Sequence, residues 1–460
     1  MYQIDFSKPI HVHFIGIGGI SMSGLAEILM AEGFRVSGSD MKASPLTKHL
    51  QECGAEVAIG QRAENITNPD LVVYTAAIHP DNPEFQAAVQ KGIPMMPRAD
   101  LLGELMANYD EAINVAGTHG KTTTTSMITN IMLAADRNPT VSVGGILDSI
   151  GGQVRVGGAG MFVAEACEYT NSFLSFHPTI AVILNVEADH LDFFKDIEDI
   201  RHSFRRFVQT LPQDSRGLLV LNGDIRDREY FTRDAGCDVV TFGKAEDCDY
   251  RAEDICFDEM ARPSYRLICH GEDCGTVKLG VTGEHNVYNS LAAIAVADRL
   301  GVDREVTVSA LGGYQGTKRR FEYKGQVNGF TILDDYAHHP QEITATLRAA
   351  AHYPHKKLYV VFQPHTYTRT KALLDDFAEA LKAADQTILA DIYAAREKNT
   401  IGISSRDVAD LINEKGGNAV YLPTFEEIEK YVLEKVQPGD LLITMGAGNV
   451  VDIADRLISR

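Results

Sequence analysis

Short hydrophobic runs alternate with amphipathic segments along the first 116 residues. Strand-type runs lie at 11–15, 34–38 and 71–74, and the spacing of apolar positions over 21–30 predicts a helix. Strands that alternate with helices are typical of a parallel α/β sheet. A new apolar run at 113–116 restarts the pattern, which places a domain boundary near residue 108.

The same alternation continues to the end of the chain. In the central part the pattern predicts strands at 161–164 and 179–184 and a helix at 287–300, and the polar section 236–275 predicts a small antiparallel sheet. Four strand-type runs follow a glycine-rich linker at 312–316: 330–335, 358–362, 387–391 and 441–446. The pattern therefore predicts three α/β domains, over 1–108, 109–312 and 313–460.

Composition narrows the class of protein. The 460 residues are 45% hydrophobic and 23% charged, as in ordinary globular proteins, and no apolar run approaches the roughly 20 residues of a membrane span. A net charge of −20 argues against a nucleic-acid surface, although local cations could still hold a small anion. Seven cysteines without a C-x-x-C pair, and no signal-peptide pattern, favour a cytoplasmic protein.

A glycine-rich turn follows the first strand. Gly18 and Gly19 precede the predicted helix, and Ser21 stands where the dinucleotide pattern G-x-G-x-x-G has its last glycine. Such a turn lets the backbone approach a diphosphate at a helix N-terminus. Asp40, at the end of the second strand, is placed to meet a ribose hydroxyl. The motif predicts a Rossmann-like N-terminal domain, but a turn without a ligand remains an alternative.

A second glycine loop opens the central domain. The sequence V-A-G-T-H-G-K-T-T-T-T lacks the first glycine of the standard phosphate loop, because Val115 occupies that position. Gly117 and Gly120 allow backbone N–H groups to converge on phosphate oxygens, and Lys121 supplies a cation for the β- and γ-phosphates. The Thr122 hydroxyl is suited to Mg²⁺. We therefore predict a P-loop-type ATPase domain with a parallel sheet.

Acidic residues follow two buried strands of this domain. Glu165 closes the run 161–164, and the segment N-V-E-A-D-H-L-D follows the run 179–184. Ligands bind at the carboxyl edge of open α/β sheets, so these side chains are candidates for a magnesium site. A solvated turn is the alternative interpretation. The predicted metal ligands are Thr122, Glu165 and His190.

Several motifs, in this order along the chain, resemble those of the Mur ligase family. They are G-I-G-G-I-S-M-S-G from Gly16, S-G-S-D from Ser37, G-T-H-G-K-T-T-T from Gly117, E-A-C-E-Y-x-x-S-F-L from Glu165, N-x-E-A-D-H-x-D from Asn185, G-E-H-N-x-x-N-x-L-A-A from Gly283, D-Y-A-H-H-P from Asp335 and H-T-Y-T-R-T from His365. The resemblance covers essentially the whole chain and accounts for the shortened phosphate loop.

The resemblance implies a three-domain enzyme of peptidoglycan precursor synthesis. It implies that the chain joins L-alanine to UDP-N-acetylmuramate through an acyl phosphate, using ATP with Mg²⁺, or Mn²⁺ in its place. The third domain is then a Rossmann-like α/β domain that binds the amino acid. No nucleic acid or membrane partner is expected, and a monomer or a weak homodimer is predicted.

The resemblance also assigns residues to each ligand. It assigns these residues to ATP: Gly117, Thr118, His119, Gly120, Lys121, Thr122, Thr123, Asn286, Asn289, Arg320 and Asp335. It assigns Gly18, Gly19, Ser21, Ser39, Asp40 and Thr75 to the UDP-sugar. It assigns Tyr336, His338, His365 and Arg369 to the amino acid, with Lys121, His338 and Arg369 as catalytic residues.

Two positions depart from the patterns of relatives. Several Mur ligases carry a carbamylated lysine on the helix after D-H-x-D, where this chain has Phe204, and Arg205 and Arg206 are candidate substitutes. Thr366 stands where many relatives have arginine.

Other functions remain as alternatives. They are a recycling ligase that takes a tripeptide, an NAD-dependent dehydrogenase, and a UDP-sugar sensor without catalysis. A metal-binding cluster is an alternative interpretation of Asp334, Asp335, His338 and His339.

Overall fold

The computed structural model describes residues 2–75, 77–191, 193–233, 235–395 and 397–460. The chain divides into two compact units. The first comprises Met1–Arg251, Ile268–Asp273 and Asn289–Ala310, and the second comprises Ala252–Leu267, Cys274–Tyr288 and Leu311–Arg460. No helix within the described ranges is long and apolar enough to cross a membrane.

The N-terminal part of the first unit is a five-stranded parallel sheet with the order β3-β2-β1-β4-β5. Its elements are β1 (His11–Ile15), α1 (Ile20–Ala31), β2 (Arg35–Asp40), α2 (Pro45–Glu52), β3 (Glu56–Ile59), β4 (Leu71–Tyr74), α3 (Pro83–Gln90), β5 (Met95–Pro97) and α4 (Arg98–Met106). The predicted helix 21–30 and strand 34–38 are thus present with slightly different ends.

The central elements continue the chain order. They are β6 (Glu111–Ala116), α5 (Lys121–Ala134), β7 (Thr140–Leu147), β8 (Gly152–Arg155), β9 (Met161–Ala166), β10 (Ile180–Ile183), α6 (Ile197–Val208), β11 (Leu218–Asn222), α7 (Glu229–Thr232), β12 (Asp238–Gly243), β13 (Tyr250–Phe257), β14 (Pro263–Cys269), β15 (Glu272–Lys278), α8 (His285–Arg299) and α9 (Arg304–Gly313). In the first unit the strand order is β12-β11-β10-β6-β9-β7-β8.

Three sequence predictions for the central part differ from the structure in detail. Strand β12 pairs in parallel with β11, and not in a separate antiparallel sheet, because α7 provides the crossover that parallel neighbours need. The predicted linker is also shorter than 312–316, since α9 extends through Gly312 and Gly313. The predicted helix 287–300 begins two residues earlier, at His285.

The C-terminal part lies in the second unit and forms a six-stranded sheet with the order β16-β17-β21-β18-β19-β20. Its elements are β16 (Glu322–Val327), β17 (Phe330–Asp335), α10 (Pro340–Ala351), β18 (Leu358–Phe362), α11 (Tyr367–Ala372), α12 (Leu374–Leu381), β19 (Gln386–Leu389), α13 (Ser405–Glu414), β20 (Ala419–Tyr421), α14 (Phe425–Lys435), β21 (Leu441–Met445) and α15 (Val451–Ile458). Among the described strand pairs of this six-stranded sheet, β16–β17 at the edge is antiparallel and the others are parallel.

Helix α4 packs closely against a 3₁₀ turn, Tyr169–Ser175, within the first unit. A Cβ atom added to Gly103 would lie 1.9 Å from the carbonyl oxygen of Ser175, and the Ser175 hydroxyl donates to Asp100. Glycine lowers the stability of a helix by about 1 kcal/mol relative to alanine. The close contact with Ser175, which leaves no room for a Cβ atom, explains why glycine is nevertheless present here.

We therefore expect Gly103→Ala to destabilise the protein, because overpacking a tight contact costs about 1–3 kcal/mol and outweighs the gain in helix propensity. The matched control is Gly313→Ala in α9, where nothing lies within 4 Å of the added Cβ. Urea unfolding of both variants measures the difference. A Gly103→Ala protein as stable as the Gly313→Ala protein would contradict the packing described here.

Candidate functional site

The phosphate loop connects β6 to α5 and depends on two glycines. Gly117 has φ 145° and Gly120 has φ 85°, both in the region that other residues rarely adopt. A Cβ atom on Gly120 would also lie 2.7 Å from Asn289 Oδ1. The loop therefore requires glycine at both positions, and Asn289 lies directly beside it.

The loop is held from the segment that follows β10. Asn185 accepts a hydrogen bond from the His119 N–H through Oδ1, at 2.8 Å, and donates from Nδ2 to the His119 carbonyl at 3.0 Å. The Glu187 N–H donates to Thr118 Oγ1 at 3.0 Å. These bonds fix the shape of the loop before any ligand binds.

Lys121 is the first residue of α5, and its side chain turns back over the loop. Its Nζ donates to the carbonyls of Gly117 and Thr118 and lies 3.2 Å from Glu168 Oε2. Burial alone would lower the pKa of Lys121, but the neighbouring charges, Glu168 foremost, raise it above its usual value. Lys121 is therefore a cation at neutral pH. Thr122, the next residue, is buried, and Thr123 is half-buried.

A cluster suited to a divalent cation lies next to Lys121. One ligand atom from each of Glu168, Asp189 and His190 lies within 4.8 Å of the others. His190 Nε2 is 4.0 Å from Glu168 Oε1 and 3.7 Å from Asp189 Oδ2. Among the described residues Glu168 Oε1 is buried and has no hydrogen-bond donor, which is costly unless a cation neutralises it. Carboxylate oxygens are the ligands that Mg²⁺ prefers.

This cluster differs from the predicted metal ligands Thr122, Glu165 and His190. Glu165 lies within strand β9, and its carboxylate accepts the Gly144 N–H on the neighbouring β7, so it is engaged in the sheet and not in the cluster. Glu168 comes two residues after the strand ends, where the chain turns toward Lys121. Asp192, the last acid of the D-H-L-D motif, lies outside the described residues.

The turn after Glu168 is strained and is held by α6. Thr170 and Asn171 have φ values of 56° and 57°, and the Ser203 hydroxyl donates to Asn171 Oδ1. Phe204 is fully buried in the core. Arg205 lies over the Tyr230 ring, 4.9 Å from its centroid. Helix α6 therefore holds this turn through Ser203 and through Phe204 and Phe207, whose rings pack on Phe173 at 5.3 and 4.7 Å between centroids.

The glycine turn after β1 is shaped by the end of β2. The N–H groups of Gly16 and Ile17 donate to the Ser39 carbonyl at 2.8 and 2.9 Å, and the Gly18 N–H donates to Asp40 Oδ2 at 2.9 Å. A Cβ atom on Gly18 would lie 2.8 Å from that same Asp40 oxygen, whereas Gly19 has more space. Asp40 therefore orders the turn itself.

The remaining residues predicted to bind the UDP-sugar differ in exposure. The Ser39 side chain is fully buried and donates to Glu84 at 2.6 Å, so its hydroxyl faces the domain interior, and its predicted contact with the UDP-sugar stays a prediction. Alternation along β2 explains this, since Asp40 points to the opposite face. Ser21 is half-buried and accepts from Arg98 Nη1 at 2.9 Å, and the Thr75 methyl group lies against Gly16.

In the second unit the residues predicted for the amino acid lie together. The His338 ring is 5.5 Å from the Tyr336 ring and 5.8 Å from the His365 ring, centroid to centroid. Arg369 Nη1 is 3.2 Å from His365 Nδ1. Burial and the nearby His338 and Arg369 lower the pKa of His365 to about 4, so this imidazole is neutral at physiological pH and its Nδ1 accepts from the Arg369 guanidinium.

The second unit also contains three residues predicted for the nucleotide. Asp335 is buried and accepts the N–H groups of Phe321 and Ala337; burial raises its pKa to about 6 although Arg320 opposes the change. Arg320 lies 5.0 Å from the centroid of the Tyr336 ring. Asn286 donates to the Thr282 carbonyl at 2.7 Å. Asp334 pairs with Arg319, which argues against the alternative of a metal cluster there.

The fold and the site define a nucleotide-binding α/β protein with a cation and an acidic cluster beside a phosphate loop. Three family models match the chain: the Mur ligase family catalytic domain over residues 11–110, the Mur ligase middle domain over 115–297, and the Mur ligase glutamate ligase domain over 319–448. The chain belongs to the Mur ligase family.

Individual relatives resemble the chain over its whole length. The UDP-N-acetylmuramate–L-alanine ligases of Lachnospira eligens and Agathobacter rectalis are 60% and 59% identical to it, each over 100% of both chains. Among solved structures, the UDP-N-acetylmuramate–alanine ligase MurC of Thermotoga maritima matches with a TM-score of 0.80 and 30% identity, over 98% of this chain and 99% of that one. A murein peptide ligase from Psychrobacter arcticus matches with a TM-score of 0.69 and 25% identity, over 98% of both.

Sequence reasoning missed Glu168, Asp189, Asn185 and Ser203 as site residues. A signal was present for the first three, because they lie within motifs already singled out after β9 and β10. No local pattern marked Ser203, whose partner Asn171 is 32 residues away.

We expect Glu168→Gln to raise the Mg²⁺ concentration that gives half-maximal activity. The substitution removes the negative charge that pairs with Lys121 and lies next to His190. Glu165→Gln is the matched control at the neighbouring acid, and we expect a smaller change. Titration of activity with Mg²⁺ and with Mn²⁺ measures both. A larger effect of Glu165→Gln than of Glu168→Gln would restore the ligand set predicted from the sequence.

Proposed function

We propose that this chain is an ATP-dependent ligase that joins L-alanine to UDP-N-acetylmuramate and releases ADP and phosphate, in the synthesis of peptidoglycan precursors. The observation that carries the proposal is the phosphate loop, where buried Lys121 lies 3.2 Å from a carboxylate of the acidic cluster. The two substrates follow from relatives of that name at 59–60% identity over the full chain.

The proposed reaction has two steps. The lactyl carboxylate of UDP-N-acetylmuramate attacks the γ-phosphorus of ATP, which forms an acyl phosphate and releases ADP. The amine of L-alanine then attacks the acyl carbon, loses a proton, and displaces phosphate. Two anions must meet in the first step, so positioning and charge stabilisation account for most of the catalysis. Lys121 and the N–H groups of the loop supply that stabilisation.

We propose Glu168, Asp189 and His190, with the Thr122 hydroxyl, as the groups that hold Mg²⁺ or Mn²⁺. Bound there, the metal ion neutralises charge on the phosphate oxygens. This assignment rests on the orphaned, buried Glu168 oxygen and on the oxygen-rich set of donors. Glu165, whose carboxylate accepts the Gly144 N–H, stays a ligand predicted from the family resemblance.

The substrate and nucleotide assignments rest on the motif positions. Gly18, Gly19, Ser21, Asp40 and Thr75 are proposed for the UDP-sugar. Gly117–Lys121, Thr123 and Asn289 are proposed for ATP, and the nucleotide roles of Asn286, Arg320 and Asp335 remain predictions from the family resemblance. Domain limits at 1–108, 109–312 and 313–460 are likewise proposed.

For the amino acid we propose Arg369 as the group that pairs with the carboxylate, because a guanidinium can bind both oxygens in one plane. Neutral His365, with His338 beside it, is proposed to orient the amine or to take its proton. Tyr336 forms one side of this group of rings.

We further infer a cytoplasmic enzyme that is a monomer or a weak homodimer and has no membrane or nucleic-acid partner. The charge of −20 and the seven cysteines, which form no disulfide with one another, support this proposal.

One second candidate function has support. The murein peptide ligase of Psychrobacter arcticus shares the fold at 25% identity, so a ligase that takes a peptide in place of alanine is the nearest alternative. The higher identity of the alanine ligases favours the first proposal.

The proposal is tested by ADP release with UDP-N-acetylmuramate, ATP and Mg²⁺ in the presence of different acceptors. We expect L-alanine to give the highest kcat/KM. Glycine and L-serine should be poorer but measurable, because one methyl group contributes only about 1–3 kcal/mol of discrimination.

Reactions without UDP-N-acetylmuramate and reactions of Lys121→Ala are the controls, and neither should release ADP above background. If a tripeptide acceptor outcompetes L-alanine, the chain is a peptide ligase and the proposed alanine ligase is wrong. Release of AMP in place of ADP would contradict the proposed acyl-phosphate intermediate.

A further inference from the structure

Arg98 lies at the ligand-binding edge of the N-terminal sheet and has no assigned role. It is the first residue after β5, and β5 runs parallel to β4 and β1. The glycine turn after β1, Asp40 at the end of β2 and Thr75 after β4 therefore share one edge with Arg98. In open parallel sheets this carboxyl edge is where ligands bind, next to the point where the strand order reverses.

The side chain of Arg98 is half-buried and has no carboxylate counterion among the described residues. Within the described ranges its only hydrogen bond is from Nη1 to Ser21 Oγ, at 2.9 Å, and no carboxylate forms an ion pair with it. Burial lowers the pKa of Arg98, and the one neighbouring group that opposes this is the Cys167 thiol. An unpaired, desolvated cation is costly, so a purely structural arginine would ordinarily have an acidic partner.

The two neighbours of Arg98 indicate which part of a ligand it would meet. Ser21 is in the first turn of α1, a twelve-residue helix whose N-terminus has no side-chain cap. Cys167 directly precedes Glu168, the acid paired with Lys121. The contact with Ser21 places Arg98 beside the turn proposed for the diphosphate, and helix α4, which begins at Arg98, packs against the turn that follows Glu168. A substrate that extends from the first place to the second would therefore pass close to Arg98.

We propose that Arg98 binds an oxyanion of the UDP-sugar substrate, either a diphosphate oxygen or the lactyl carboxylate, and so orients the substrate between the two places. This inference rests on the proposed function. The ligand supplies the negative charge that the protein lacks around Arg98, and the Ser21 hydroxyl fixes the direction of the guanidinium. Five N–H donors in a planar fork suit either oxyanion.

The test measures the Kd of Arg98→Gln and Arg98→Lys for UDP-N-acetylmuramate by isothermal titration calorimetry. We expect Arg98→Gln to raise Kd about 10- to 100-fold, as loss of a hydrogen-bonded charge of about 1.5–3 kcal/mol implies. Arg98→Lys keeps the charge but loses the fork, so it should give a smaller rise and also covers the case in which the glutamine variant does not fold. Arg35→Gln is the control, because Arg35 is exposed and already pairs with Glu56 at 2.8 Å.

A second probe, UDP-N-acetylglucosamine, separates the two sources of the oxyanion because it lacks the lactyl carboxylate. A rise in Kd for both probes assigns Arg98 to the diphosphate, and a rise for UDP-N-acetylmuramate alone assigns it to the carboxylate. Unchanged Kd values in both folded variants, with only a lower Tm, would show that Arg98 merely joins α4 to α1 and would overturn the inference. Failure of the wild-type protein to bind UDP-N-acetylmuramate would instead count against the proposed function.

Discussion

The ion pair between Lys121 and Glu168 is the interaction on which the rest of the site depends. It places a buried cation over the phosphate loop and, through the same carboxylate, ties that cation to His190. A buried pair of this kind is costly to desolvate and contributes little stability by itself. The ion pair instead fixes the geometry of the site. Lys121 binds the loop carbonyls and Glu168, and the strained turn after Glu168 is in turn bonded to helix α6.

The parallel sheets explain how residues far apart in the chain reach this site. β6, β9 and β10 are neighbours in the first unit, and their carboxyl ends lead to the loop, to Glu168 and to the Asn185–His190 segment. The N-terminal sheet repeats the arrangement with the glycine turn, Asp40 and Arg98. In the second unit β17 and β18 are each followed by residues proposed for the amino acid. One topological rule thus positions the phosphate loop, the acidic cluster and the glycine turn.

Much of this was predictable from the sequence, for identifiable reasons. Strand and helix positions followed from apolar periodicity, and the phosphate loop from glycines next to a lysine and threonines. Side-chain direction could not be predicted in this way. Glu165 and Ser39 lie at strand ends, as predicted, but the hydrogen bonds of Glu165 with Gly144 and of Ser39 with Glu84 depend on residues distant in the sequence. The contacts of Ser203 and Arg98 are set by packing between distant segments, which no local pattern records.

The central claim is that the carboxylate of the UDP-sugar is activated by transfer of the γ-phosphoryl group. It is tested most directly with UDP-N-acetylmuramate that carries ¹⁸O in both oxygens of the lactyl carboxylate, followed by mass analysis of the released phosphate. An acyl phosphate transfers one carboxylate oxygen to phosphorus, so the account predicts one ¹⁸O atom in each phosphate. Unlabelled phosphate formed together with labelled amide product would contradict it.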